Sequence, residues 1–95
     1  MLFAVEYVYD QTRTEDLESL RPQHRDFLQH LHDEGSLVVA GRWQDAGAPG
    51  ALLIVEAYDD AAALELLDAD PFHRAHLITQ RTARAWSPAI GKLAE

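Results

Sequence analysis

The sequence predicts an α+β subunit of element order β-α-β-β-α-β, the split-βαβ or ferredoxin-like plan. Three observations carry that expectation. Leu2–Tyr9 (LFAVEYVY), Ser36–Trp43 and Ala51–Tyr58 (ALLIVEAY) are rich in β-branched and aromatic residues and flanked by polar or turn-forming segments. Leu20–Gly35 (LRPQHRDFLQHLHDEG) carries Leu20, Phe27, Leu28 and Leu31 at three- and four-residue steps, one apolar stripe of a helix. Strands one and three are apolar on both faces, with Leu52 and Ile54 opposing Leu53 and Val55. Two helices cover only one face of a four-stranded sheet, so an identical sheet from a second subunit is the simplest cover for the other. The expected assembly is a homodimer of the dimeric α/β barrel type.

The elements follow in order. In the first strand Phe3, Val5, Tyr7 and Tyr9 share one face. Asp10–Thr14 is polar and reads as a loop, and Thr12-Arg-Thr-Glu15 fits a capping box. Pro22 interrupts the helical pattern, which predicts a short helical entry to Leu20 and a main helix from about Arg21. Gly35 is placed to terminate it. Gln44–Gly50 (QDAGAPG) is a hairpin loop between strands two and three. Asp59 or Asp60 caps a second helix, DAAALELLDA, with Ala63, Leu64 and Leu67 inward. Pro71 ends that helix near Asp70, because the residue before a proline avoids α geometry. Pro71–His76 is a turn or a single helical turn, Leu77–Trp86 a partly exposed strand, and Ser87–Glu95 a tail.

Bulk composition bounds the function. The 95 residues make one domain, 1–95, with 47% apolar content. Net charge is −8 without a Lys/Arg cluster, which argues against nucleic acid and against an anionic membrane. No cysteine is present, so disulfides, thiolate catalysis and zinc–thiolate sites are excluded. Met1 runs straight into a strand pattern with no basic-then-apolar leader, and the expected location is cytoplasmic.

His24 falls in the middle of the apolar stripe, where a hydrophilic residue needs a compensating reason. One reading is a neutral core histidine bonded to backbone; the other is general acid–base catalysis by an imidazole that titrates near working pH. Asp70-Pro71-Phe72 has the same two sides. It is either a plain helix stop, or a carboxylate stiffened by Pro71 that fixes the tautomer of His24. His73 and His76 have metal-ligand spacing but lack an evident third ligand, so no metal site is expected. His30 and His32 lie on the polar edge and flank of the first helix. Arg42, Arg81 and Arg84 are possible anion contacts, and Trp43, Trp86, Tyr7 and Tyr58 possible pocket aromatics, against the plainer readings of surface charge and core.

Arg21-Pro22-Gln23-His24, Phe27-Leu28, Leu31, Gly35-Ser36-Leu37, Ala40-Gly41 and Asp70-Pro71-Phe72 together resemble the YciI-like (YCII-related) family over nearly the whole chain. The resemblance implies a ferredoxin-like subunit in a dimeric α/β barrel and an active-site His/Asp pair, here His24 and Asp70. The activity best associated with the family is elimination from a hydroxylated, halogenated aromatic. One departure bears on the pocket mouth: the family often has Gly-Pro after the second strand, where Gly41 here precedes Arg42 and Trp43. The expected function is a cofactor-free lyase or isomerase using His24 and Asp70, with Tyr7, Arg42 and Phe72 contacting a small-molecule substrate. The rival is a non-catalytic binding or regulatory module of the same fold. A monooxygenase of the related dimeric-barrel type is a third possibility, since fold does not give function.

Overall fold

A computed structural model describes residues Met1–Ala94; of the expected tail, Glu95 lies outside the described residues. The strands are β1 (Leu2–Tyr9), β2 (Leu37–Arg42), β3 (Gly50–Glu56) and β4 (Ile78–Ala85). The helices are α1 (Thr14–Asp33), α2 (Asp60–Leu66) and the single turn α3 (Pro71–Arg74). The sheet runs β2-β3-β1-β4 with every neighbouring pair antiparallel, which is the ferredoxin-like order. The central strands β1 and β3 place Tyr7 opposite Ala51, Val5 opposite Leu53 and Phe3 opposite Val55. These six residues are buried on the helix-covered face, with Leu67, Phe72 and Leu77 packed over them. No helix among the described residues is long and apolar enough to cross a membrane.

The opposite face carries Leu52 and Ile54 on β3 and Val39 on β2, which a register shift after Leu37 pairs with Ile54 instead of leaving it on the buried side with Leu37. Val39 and Leu52 are exposed there, beside the exposed Trp43 just past β2. The chain therefore leaves an apolar sheet face uncovered by its own helices.

Three local expectations are corrected. First, Pro22 does not divide the helix: α1 is continuous for 20 residues. A proline removes the bond to the carbonyl four residues back, here that of Glu18. Glu18 and Pro22 both lie on the exposed side of α1, where water can take the place of the missing donor. Second, the Thr12–Glu15 capping box is not formed. Asp10 caps instead, accepting from the Thr12 N–H at 2.9 Å and the Thr12 hydroxyl at 2.6 Å, and those bonds hold its carboxyl below the usual range. The residues it caps, Gln11–Arg13, form a 3-10 turn leading into α1. Third, α2 ends at Leu66 rather than near Asp70. Its last turn tightens into i→i+3 bonds, from Leu67 N–H to Leu64 O and from Asp68 N–H to Glu65 O.

Two helix ends position the chemistry. Gly35 adopts φ +87°, with its N–H bonded to His32 O and Ser36 N–H to Leu31 O, and this closes α1 and feeds directly into β2. The α3 turn is clamped at both ends. Asp70 caps its N-terminus and Pro71 occupies its first position, where no N–H is needed. At its end His76 adopts φ +58°, the place usually held by glycine, with bonds from His76 N–H to His73 O and Leu77 N–H to Phe72 O. A four-residue helix held this firmly fixes the direction of Asp70.

Candidate active site

Asp70 is fully buried, and four hydrogen-bond contacts converge on its carboxylate. The backbone N–H of Phe72 donates to Oδ1 at 2.9 Å, and the Tyr7 hydroxyl donates to Oδ2 at 3.0 Å. Nδ1 of His24 lies 2.8 Å from Oδ1 and 3.0 Å from Oδ2. A carboxylate only accepts, so Nδ1 carries the proton and the neutral ring keeps its lone pair on Nε2. His24 is itself only 5% exposed and lies flat on Phe72, with centroids 4.0 Å apart and planes 5° from parallel. Tyr9 meets the same Phe72 ring edge-on at 5.4 Å. The imidazole is thus fixed in tautomer by Asp70 and in plane by Phe72.

A cavity of about 410 Å³ opens beside the ring, between α1 and β2. His24, Arg21, Arg25 and Leu28 form the α1 wall, β2 residues from Leu37 to Arg42 the other, and Tyr9 and Ala51 also line it. Of the residues predicted from sequence, the structure brings His24 and Arg42 to this cavity and joins Asp70 to His24 from behind. Tyr7 and Phe72 are not on the wall: Tyr7 bonds to the far oxygen of Asp70, and Phe72 backs the imidazole. Sequence reasoning did not single out Tyr9, Arg21 and Arg25 for the site. Tyr9 follows Tyr7 on the same strand face and Arg21 stands three before His24 on the same helix side, so strand and helical periods carried the signal for those two, whereas Arg25, directly after His24, is turned about 100° away and had none. The remaining histidines serve locally. His32 Nδ1 donates to Leu37 O at 2.8 Å, His30 pairs with Glu34, and His73 lies 3.7 Å from Asp68.

Both tyrosines titrate abnormally. Burial first, then the charge of Asp70 and the hydrogen bond to it, push the Tyr7 phenol far above the usual range. Tyr9 is pushed up to about 12, by burial and then by Asp70, against the pull of Arg21 and Arg42. A phenol whose folded pKa is raised stabilises the fold fully below its unfolded pKa of about 10, and that stability is lost as pH rises further. We expect the denaturant midpoint to hold to about pH 10 and then fall through pH 12. Each titrating phenol contributes up to about 1.4 kcal/mol per pH unit. Tyr9→Phe should flatten the fall; an unchanged alkaline slope would contradict the assignment.

A model of the YCII-related domain matches residues 1–87 of the chain. The proteins named YciI from Escherichia coli and from Shigella flexneri are each 38% identical to it, over 68% of this chain and 78% of theirs. Among solved structures, the 5-chloro-2-hydroxyhydroquinone dehydrochlorinase TftG of Burkholderia phenoliruptrix superposes with a TM-score of 0.80 at 22% identity, covering 94% of this chain and 96% of that one. That structure is a complex with 2,5-dihydroxybenzoquinone. The element order, the sheet order and the match over nearly the whole length agree, and the chain belongs to the YCII-related family.

Proposed function

We propose that the chain is a cofactor-free enzyme of the lyase or isomerase type, in which His24 moves a proton on a small cyclic or aromatic substrate held between α1 and β2. The supporting observation is the division of labour on one ring: Nδ1 is bound to a buried carboxylate, and Nε2 is the nitrogen left for the cavity. Removal of a substrate proton by Nε2 frees an electron pair to form a new double bond. A leaving group then departs with its own pair, or the proton returns at another carbon. Asp70 stabilises the imidazolium formed in between, and Tyr7 and the Phe72 N–H hold Asp70 in place. Elimination from a hydroxylated ring, the chemistry in the name of the structurally similar dehydrochlorinase, is one reaction of this class.

The test is turnover of a panel of hydroxylated and halogenated aromatics and of lactones. His24→Asn should lower kcat/KM by about 100-fold or more while melting within a few degrees of wild type. Equal turnover by the variant overturns the assignment, and collapse of the fold without a specific loss of activity favours a structural role for the pair.

In this reading the protein works as a cytoplasmic homodimer, with the sheet face bearing Val39, Trp43 and Leu52 packed against its copy. Light scattering should give twice the 10.7 kDa chain mass. Leu52→Asp, which places a charge on that face, should halve it. A wild-type monomer at micromolar concentration contradicts the pairing.

A further inference from the structure

The chain's charges are distributed unevenly. Sixteen carboxylates and eight Lys/Arg residues give a net charge of −8. Yet the cavity beside His24 is lined by Arg21, Arg25 and Arg42 and, among the described residues, by no aspartate or glutamate. Leu28, Val38 and Ala40 supply apolar surface between the three arginines. A strongly acidic protein has thus concentrated positive charge on one concave surface, the arrangement that draws in and retains a small anion.

Arg21 sharpens the point. Its Nη2 pairs with Glu18 at 3.0 Å, but its Nε is buried and has no hydrogen-bond partner among the described residues. A buried N–H left unpaired costs its desolvation, so the chain under-satisfies this guanidinium. Glu18 is exposed and engages only one edge of the guanidinium, a surface pairing of small worth. The Arg21 guanidinium lies 5.7 Å from the centre of the Phe72 ring on which His24 is stacked. Cation and base therefore share one platform, close enough to act on two parts of a single small molecule.

Resting on the reading of His24 as the reacting base, we infer that the substrate is a small cyclic organic acid whose carboxylate is received by Arg21, with Arg25 and Arg42 steering it in. A guanidinium presents paired N–H donors that match the two oxygens of a carboxylate, which a lysine does not. Arg25 and Arg42 are exposed at the cavity and act through charge rather than fixed contact. The apolar wall holds the ring, and a 410 Å³ cavity admits one substituted ring.

The test is calorimetric titration of the full chain with 2,5-dihydroxybenzoate and with its neutral counterpart 2,5-dihydroxybenzamide, at low and high salt. The carboxylate should bind about ten-fold or more tightly than the amide, the margin expected of a charge-assisted pair, and the margin should shrink with salt. Arg21→Gln should remove most of the preference, and Arg21→Lys should restore only part of it. Arg25→Gln and Arg42→Gln should each weaken carboxylate binding a few-fold. Equal affinity of wild type for the two probes, no saturable binding of the carboxylate, or an undiminished preference in a folded Arg21→Gln protein overturns the inference. Should Arg21→Gln fail to fold, the wild-type comparison still decides. Binding is read without turnover, so the two readings fail separately. Carboxylate preference with no His24-dependent turnover sinks only the enzyme reading, whereas His24-dependent turnover of neutral substrates alone, with no carboxylate preference, sinks only this one.

Discussion

Asp70→Asn should abolish most activity while leaving the protein folded, and Asp70→Ala should unfold much of it. The two outcomes separate what the carboxylate does for chemistry from what it does for stability. Alanine deletes the acceptor for three buried donors at once: the Tyr7 hydroxyl, the His24 Nδ1–H and the Phe72 N–H. Removing one side of such a buried network costs about 3–5 kcal/mol. For a domain of this size that lowers Tm by on the order of 15 °C or more. Asparagine keeps the shape but changes the hydrogens. Its carbonyl takes the Oδ1 position to cap the Phe72 N–H, which leaves the amide NH2 facing Tyr7 and the imidazole. His24 Nδ1–H then keeps one acceptor at 2.8 Å but faces the NH2 at 3.0 Å and loses the negative charge that held it, which favours the ring proton on Nε2, where the cavity needs a lone pair. A wrong tautomer of this kind costs up to about 10⁴ in kcat. Melting curves of both variants, with kcat/KM and the ring tautomer read by nitrogen NMR for Asp70→Asn, check the pair of outcomes. Full activity in a folded Asp70→Asn would show that tautomer control is not the role of Asp70.

The second large effect is Phe72→Ala. Phe72 is fully buried and contacts the imidazole face-on, Tyr9 edge-on and the Arg21 guanidinium at 5.7 Å. Truncating a buried phenylalanine costs about 3–5 kcal/mol, from lost transfer energy and the cavity left behind. Here the cavity opens directly behind the His24 imidazole. Phe72→Leu is the sharper probe: it restores most of the volume but not the flat face. It should cost less stability than alanine, yet still lower activity by roughly ten-fold or more, because the imidazole gains freedom to tilt away from its attack geometry. Unfolding and kinetics on both variants test this; activity that tracks stability alone would show that the stacking has no separate role.

How much of this was legible before the structure depends on the range of each interaction. Strands, hairpin loop and the Gly35 stop are local, set by alternation and by residues with special backbone freedom, and they stand within a residue or two of expectation. His24 was legible because a titratable side chain on an apolar stripe is anomalous wherever the stripe ends up. Asp70 was legible because a proline directly follows it. Pro22 was misread because the sequence does not say that the Glu18 carbonyl faces solvent. The capping box lost to Asp10 because two caps a few residues apart compete, and the entry from β1 favoured the earlier one. The substrate side was hardest. Tyr7 and Tyr9 occupy the same face of β1, about 7 Å apart along the strand. That single step puts one phenol behind the carboxylate and the other on the cavity wall, and only the placement of α3 over the sheet decides which is which. Arg21 and Arg25 line the cavity only because β2 closes the space beside α1, a long-range contact that the helix pattern does not contain.

The His24–Asp70 pair and its supports hang from β1, α1 and α3, whereas much of the cavity wall belongs to β2 at the margin of the sheet. The β2 side of the cavity is therefore mounted on a different piece of scaffold from the His24–Asp70 pair. Outward substitutions along that marginal strand should alter which molecules the cavity accepts while leaving the His24–Asp70 hydrogen bond in place.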